Sequence, residues 1–147
     1  MHSARYGDIE IQGGLRVHDE MSQLIGGLHA VGAHVFIVTA SSEWIAHHVA
    51  DRLKIPRDRV IGMRLDPSRP FGALTPPLTH REGKAEALRG RGVRPVLAIG
   101  DSESDVEMLA AGRQAIVIDR GRIGEAVLAR YGWPRQPIDL LRVRTLR

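Results

Sequence analysis

The chain has 147 residues, a length that favours one domain around a single core over a multidomain enzyme. Apolar residues make up 43% and charged residues 26%, which is typical of a globular protein and argues against disorder. The absence of cysteine excludes disulfides, thiolate catalysis and cysteine-based metal sites. Any metal must therefore bind oxygen or histidine.

Arginine dominates the positive charge. Lysine and arginine total 21 residues against 17 acidic ones, and only Lys54 and Lys84 are lysines. The arginines are spread along the chain, with the densest group in a basic tail over 132–147, and aromatic residues make up only 4%. This composition argues against nucleic-acid binding. No apolar run is long enough for a membrane span and no signal-peptide pattern opens the sequence, so a cytoplasmic protein is expected.

Strands and helices alternate along the sequence. Apolar residues at helical spacing predict a helix over 19–31, and the apolar run 34–38 predicts a strand buried on both faces. The other predicted elements are helix 42–53, strand 59–65, an irregular loop or hairpin 72–79, helix 82–91, buried strand 95–99, helix 103–111, strand 115–118 and helix 121–131. This order predicts an α/β fold, a Rossmann-like parallel sheet with helices on both faces.

Polar clusters follow both strands that we predict to be buried, where ligands sit in parallel sheets. After strand 34–38 come Thr39, Ala40 and two serines, whose hydroxyls and backbone N–H groups are suited to a phosphate oxygen. Helix capping alone also accounts for them. After strand 95–99, Asp101 and Asp105 lie four residues apart across a strand-to-helix turn. Such carboxylates suit Mg²⁺, and helix capping, with Ser102 as the N-cap and Asp105 as the acid in the first turn, is again the alternative.

Lys84 is the third candidate. It lies near the start of the predicted helix 82–91, where a cation opposes the helix dipole, so the position invites a functional explanation. A compact ammonium is suited to contact with both phosphate and carboxylate, although a solvated surface lysine is the alternative. His47 and His48, which are adjacent to each other in helix 42–53, have no third ligand at metal-binding spacing. We interpret them as surface or partly packed residues.

Taken in order, the segments VFIVTAS, REGKAEAL and AIGDSESDVEML resemble three motifs of the haloacid dehalogenase superfamily of phosphatases, in its phosphoserine-phosphatase-like branch. The resemblance covers about 15–131. It implies Mg²⁺-dependent hydrolysis of a small phosphate ester, with inorganic phosphate as a further ligand. Thr39 and Ala40 would bind the phosphoryl group, and Lys84 would neutralise it and orient the nucleophile. Asp101 would ligate Mg²⁺, with Asp105 as a second ligand or a supporting residue.

The family's first motif, an apolar strand ending in Asp-x-Asp, has no counterpart in the sequence. We therefore expect the chain to begin inside the cap insertion, with 1–14 as a remnant of the cap, and to be inactive or nearly so alone. The missing strand is central in the family's sheet, so its two neighbours would each have an unpaired edge. The position of the missing strand has four candidate occupants: segment 9–17, tail 140–143, a second copy of the chain in a homodimer, or another polypeptide.

Two other functions stay open. A chain that kept the fold after losing the nucleophile is suited to non-catalytic binding of phosphate or metal, or to interaction with another protein. An arginine-rich nucleic-acid binder is the weaker alternative, since the charge is dispersed.

Overall fold

The computed structural model describes the backbone of residues 2–6, 9–13, 16–68, 72–137 and 143–145, and the side chains of 17–68 and 72–137. The helices are α1 (Asp19–Ala30), α2 (Glu43–Arg52), α3 (Glu82–Gly90), α4 (Val106–Ala111) and α5 (Glu125–Tyr131). The strands are β1 (His2–Tyr6), β2 (Ile9–Gly13), β3 (Arg16–His18), β4 (Ile37–Ser42), β5 (Val60–Met63), β6 (Leu97–Gly100), β7 (Gln114–Asp119), β8 (Arg135–Pro137) and β9 (Val143–Thr145). The fold is α/β, and each predicted helix is present; α4 follows a 3₁₀ turn at Glu103–Asp105.

Two parallel sheets form the centre of the fold. β4 pairs with β5, while β6, β7 and β8 form a three-stranded sheet in that order. β8 was not predicted, because it is short, ends in proline and lies in the tail 132–147, where no apolar run marks a strand. Within the described residues β4 and β6 each have one hydrogen-bonded neighbour, so each has an unpaired edge.

The segments near the two ends of the chain pair with one another. β1 and β2 form an antiparallel pair, and β3 pairs antiparallel with β9. The described parts of segment 9–17 are therefore bonded to β1 and β9, and neither pairs with β4 or β6. Of the tail 140–143 that we considered for the slot, only Val143 lies among the described residues, and it pairs with His18.

The two strands that we predicted to be buried on both faces are only partly buried, which corrects the sequence interpretation. The first strand also begins later than predicted: β4 is Ile37–Ser42, so 34–36 lie outside it, and Thr39, Ala40 and the two serines lie within it rather than after it. In the run 34–38, His34 is exposed and the other residues are half-buried. In the run 95–99, Val96 is 69% exposed and Ala98 is buried. The reason is incomplete cover: each strand has one open edge, and α1 contributes no fully buried residue.

The core consists of three apolar clusters. One packs β6 and β7 against α4 and α5, and a second packs β5 against α2. The third joins Ile61 of β5 with residues of α3 and with Met108 of α4. Because Met108 is followed by Leu109, a member of the first cluster, α4 connects the packing of the two sheets. Among the described helices, none combines the length and apolar character needed to cross a bilayer.

Candidate functional site

Lys84 and Asp105 form a buried ion pair beside the carboxyl end of β6. Lys84 is the third residue of α3 and is 6% exposed, while Asp105 ends the 3₁₀ turn after β6 and is 4% exposed. The Lys84 ammonium donates to Asp105 Oδ1 over 2.5 Å. Burial and pairing together exclude the alternative that Lys84 is a solvated surface residue.

Asp105 uses both of its carboxylate oxygens within the protein. Oδ2 accepts hydrogen bonds from the backbone N–H groups of Asp101 and Ser102, each at 3.1 Å, and from the Ser102 hydroxyl at 2.9 Å. Burial raises the pKa of Asp105, but the hydrogen bond and charge of Lys84, together with the hydrogen bonds from Asp101 and Ser102, outweigh it, so the pKa lies below its usual value. The carboxylate is therefore ionised at neutral pH and holds the turn that carries Asp101.

Two glycines allow the ion pair to form. A Cβ on Gly100 would lie 2.6 Å from the Cβ of Asp105, so only glycine lets the end of β6 approach that side chain. A Cβ on Gly83 would lie 1.7 Å from the carbonyl oxygen of Leu78, in the loop before α3. Sequence reasoning missed Gly83, although its place next to Lys84 was visible.

Asp101 faces outward and is neutralised by arginines that the sequence analysis did not single out. Its side chain is 34% exposed, and Oδ2 lies 3.1 Å from Arg120 Nη1 and 3.7 Å from Arg122 Nη1. Both arginines follow the carboxyl end of β7, which places them at the same edge of the sheet as Asp101. That position after a predicted strand was the one signal available in the sequence.

Thr39 is connected to the Lys84 helix through a buried threonine. Thr79, 1% exposed, donates its hydroxyl to the carbonyl oxygen of Thr39 over 2.6 Å, and lies five residues before Lys84. The Thr39 hydroxyl accepts the backbone N–H of Ser41 at 3.1 Å, a local turn interaction. Ala40 is exposed beside it. Within the described residues no hydrogen bond joins the Thr39 hydroxyl to Lys84 or Asp101. Thr39 is connected to Lys84 only indirectly, through the bond from Thr79 in the loop before α3.

The described residues offer the outward carboxylate of Asp101 as a donor for a metal ion. In the described part of the chain no three His, Asp or Glu side chains form a metal-binding group. Mg²⁺ is usually bound through only one or two carboxylates, with water and phosphate oxygens as its other ligands. The outward carboxylate of Asp101 fits that role, whereas the described residues do not fit an all-protein cage.

Lysine and carboxylates at the carboxyl ends of parallel strands define an α/β protein with a charged site at the edge of its sheet. The haloacid dehalogenase-like hydrolase family matches residues 3–110, more than half of the chain. The chain therefore belongs to this family, which confirms the resemblance seen in its motifs. A search of curated proteins found no match to the chain.

Solved structures share the fold. A conserved functionally unknown protein from Anaerococcus prevotii DSM 20548 is 28% identical over 86% of this chain, with a TM-score of 0.66. A phosphoserine phosphohydrolase-like protein from Francisella tularensis subsp. tularensis SCHU S4 is 17% identical over 82%, with a TM-score of 0.63. A protein with unknown function from Bordetella pertussis Tohama I is 20% identical over 80%, with a TM-score of 0.62. The chain covers only 39%, 58% and 56% of these three proteins respectively.

Proposed function

We propose that this chain is the phosphate- and Mg²⁺-binding part of a phosphomonoesterase of the haloacid dehalogenase type, and that the 147-residue polypeptide alone hydrolyses phosphate esters little or not at all. The observation that carries the proposal is the buried Lys84–Asp105 pair beside Asp101 at the carboxyl edge of the sheet. Burial of the Lys84 ammonium with its carboxylate partner is costly, since removing two charges from water has a large desolvation penalty. A buried pair of this kind therefore calls for a functional explanation. Binding of a phosphoryl group supplies that explanation.

The residues take separate roles in this proposal. Asp105 orients the Lys84 ammonium, which still has donors for a phosphoryl oxygen because one hydrogen bond to Asp105 uses only one of its three. Thr39 and Ala40, in the middle of β4, present a hydroxyl and backbone N–H groups to the same anion in this proposal. Asp101 is the direct Mg²⁺ ligand and Asp105 supports it. Mg²⁺, when bound, neutralises charge on the phosphoryl oxygens.

The proposed lack of activity follows from chemistry missing in these residues. A nucleophilic carboxylate forms the covalent intermediate in the proposed reaction, and the 147 residues contain no Asp-x-Asp motif. The proposal is that an apolar strand with this motif binds between β4 and β6, each of which has an unpaired edge in the described part. The substrate class we propose is a small phosphate ester such as phosphoserine, suggested by the similarity to the phosphoserine phosphohydrolase-like protein from Francisella.

Calorimetric titration with inorganic phosphate in the presence of MgCl₂ tests the binding role. The parent chain is expected to bind, and Lys84→Met to lose most of the affinity. Lys54→Met is the matched control, because Lys54 is the other lysine and is exposed. The absence of phosphate binding by the parent chain would overturn the proposal.

Turnover of p-nitrophenyl phosphate tests whether the missing nucleophilic carboxylate explains the proposed lack of activity. The chain is assayed with and without a synthetic apolar strand peptide ending in Asp-x-Asp, and with an Asn-x-Asn peptide as control. Turnover that requires the acidic peptide is the expected result. Turnover by the chain alone would contradict the proposal of an incomplete site.

A non-catalytic interaction module is the second candidate. The observation that favours it is the pair of open strand edges, which are templates for binding another chain. Strand peptide binding without turnover, and without phosphate binding, would select this function.

A further inference from the structure

Arg120 and Arg122 form, with Asp101, a charged group that the proposed phosphate site does not require. The loop that carries the arginines is anchored twice. Asp119 Oδ1 accepts the N–H of Gly121 at 3.0 Å, and the carbonyl oxygen of Arg122 accepts the N–H of Glu103 at 3.1 Å. The second bond ties this loop to the turn that carries Asp101. The arginines therefore lie at Asp101 because the backbone places them there.

Three cations are paired with two carboxylates here. Lys84 is paired with Asp105, and Arg120 and Arg122 both lie at Asp101. Arg120 donates to Asp101 Oδ2 at 3.1 Å with a side chain that is 41% exposed. Guanidinium groups stay protonated at every working pH, so this positive charge is permanent. A divalent ion that binds Asp101 must displace the guanidinium or tolerate its repulsion.

We propose that Arg120 and Arg122 are displaceable counter-ions of Asp101 that compete with Mg²⁺ for its carboxylate and lower the affinity of this chain for the metal. The inference rests on the proposed function, in which Asp101 is the Mg²⁺ ligand. Arg120 has the larger effect, because its Nη1 lies 3.1 Å from Oδ2 and that of Arg122 lies 3.7 Å away. Because the guanidiniums are partly exposed, they move aside at a modest cost.

Titration of MgCl₂ into the full chain, followed by calorimetry at low salt, tests the competition. Arg120→Gln is expected to bind Mg²⁺ about three- to fivefold more tightly than the parent chain, with a smaller gain for Arg122→Gln and the largest in the double variant. Arg113→Gln is the matched control. It removes the same charge from an exposed residue just before β7, at the opposite end of that strand, and should stay within about twofold of the parent.

The other outcomes are distinct. Equal affinities in the parent and arginine variants, with binding lost in Asp101→Asn, would overturn the competition and leave the proposed metal ligand intact. An equal gain in Arg113→Gln would also overturn it, since net charge would then explain the result. Binding only in the double variant would support it. Urea denaturation shows whether each variant is folded. An absence of binding in every folded variant would overturn the Mg²⁺ site and this inference together.

Discussion

Lys84 and Asp105 are the only charged residues that are fully buried in the described part of the chain. Their burial is tolerated because each neutralises the other and Asp105 accepts three further hydrogen bonds. Truncating one partner would leave the other charge buried without its counter-ion. The pair therefore couples the stability of the fold to the geometry of the proposed site.

Lys84→Met is expected to lower the free energy of unfolding by about 3 kcal/mol, since breaking a buried pair leaves an uncompensated carboxylate. Urea denaturation measures the change. Lys54→Met removes the other, exposed lysine and should change stability by less than about 0.5 kcal/mol. Equal losses in the two variants would show that burial of Lys84 has no energetic consequence.

The pH dependence of stability follows from the lowered pKa of Asp105. Burial raises that pKa, and the pairing with Lys84 together with the hydrogen bonds from Asp101 and Ser102 more than offsets the effect. The unfolded chain has the higher value, about 3.9 for an aspartate, so ionised Asp105 stabilises the fold above that pH. This contribution is lost as the pH falls below it.

Urea midpoints measured between about pH 3 and pH 7 test this linkage. Asp105→Asn and Lys84→Met are each expected to show a shallower loss of stability on acidification than the parent chain. Other carboxylates, among them Asp51 beside Arg57, leave part of the slope in place. A slope unchanged in both variants would contradict the assignment to this pair.

At the scale of elements, the start of α3 is the most constrained segment near the site. Arg81, which precedes the helix, has a φ of 51° and a ψ of −129°, a conformation that favours glycine. Gly83, two residues later, lies close to the carbonyl of Leu78, and the Thr79 hydroxyl donates to the carbonyl oxygen of Thr39 in β4. This tight entry sets the position of Lys84, so changes that move the helix will also move the ammonium.

Gly83→Ala is expected to destabilise the fold by at least about 2 kcal/mol, because the added methyl overlaps a backbone oxygen that cannot rotate away. Gly90→Ala, in the same helix, meets open space and should stabilise by about 0.5–1 kcal/mol. Urea denaturation of both variants makes the comparison. A loss of similar size in both would indicate a general effect on α3 rather than the close contact at Leu78.

At the scale of the whole molecule, the two parallel sheets share helical packing but no strand pairing in the described residues. Open edges and exposed apolar residues, such as Val96 just before β6, favour association with another strand. A second copy of the chain could supply such a strand. The same surface is available to the strand peptide that we propose.

We expect light scattering during size-exclusion chromatography to give a mass above the 16.2 kDa of one chain as the protein concentration rises. Val96→Lys should reduce this association, because a lysine at a strand edge opposes pairing. Val31→Lys is the control, since Val31 is also exposed but follows α1. A chain that remains monomeric at every concentration would argue against self-association through this edge.

Periodicity and turn residues in the sequence were enough to predict the helices and the parallel α/β class, because apolar spacing depends on neighbours along the chain. The helix predicted over 19–31 is an example, since α1 is Asp19–Ala30. Motif order likewise indicated the family and brought Lys84, Asp101 and Asp105 forward as candidates, and the fold joins these three in one network.

The tertiary structure alone decided which charges meet. Arg120 is 19 residues from Asp101 and Lys84 is 21 from Asp105, so no local pattern links them, and their contact depends on how α3, β6 and β7 pack. Burial of the predicted strands 34–38 and 95–99 was overestimated for the same reason. An apolar run shows which side chains a strand is able to bury. The strands and helices that pack around it determine how much of their surface is buried.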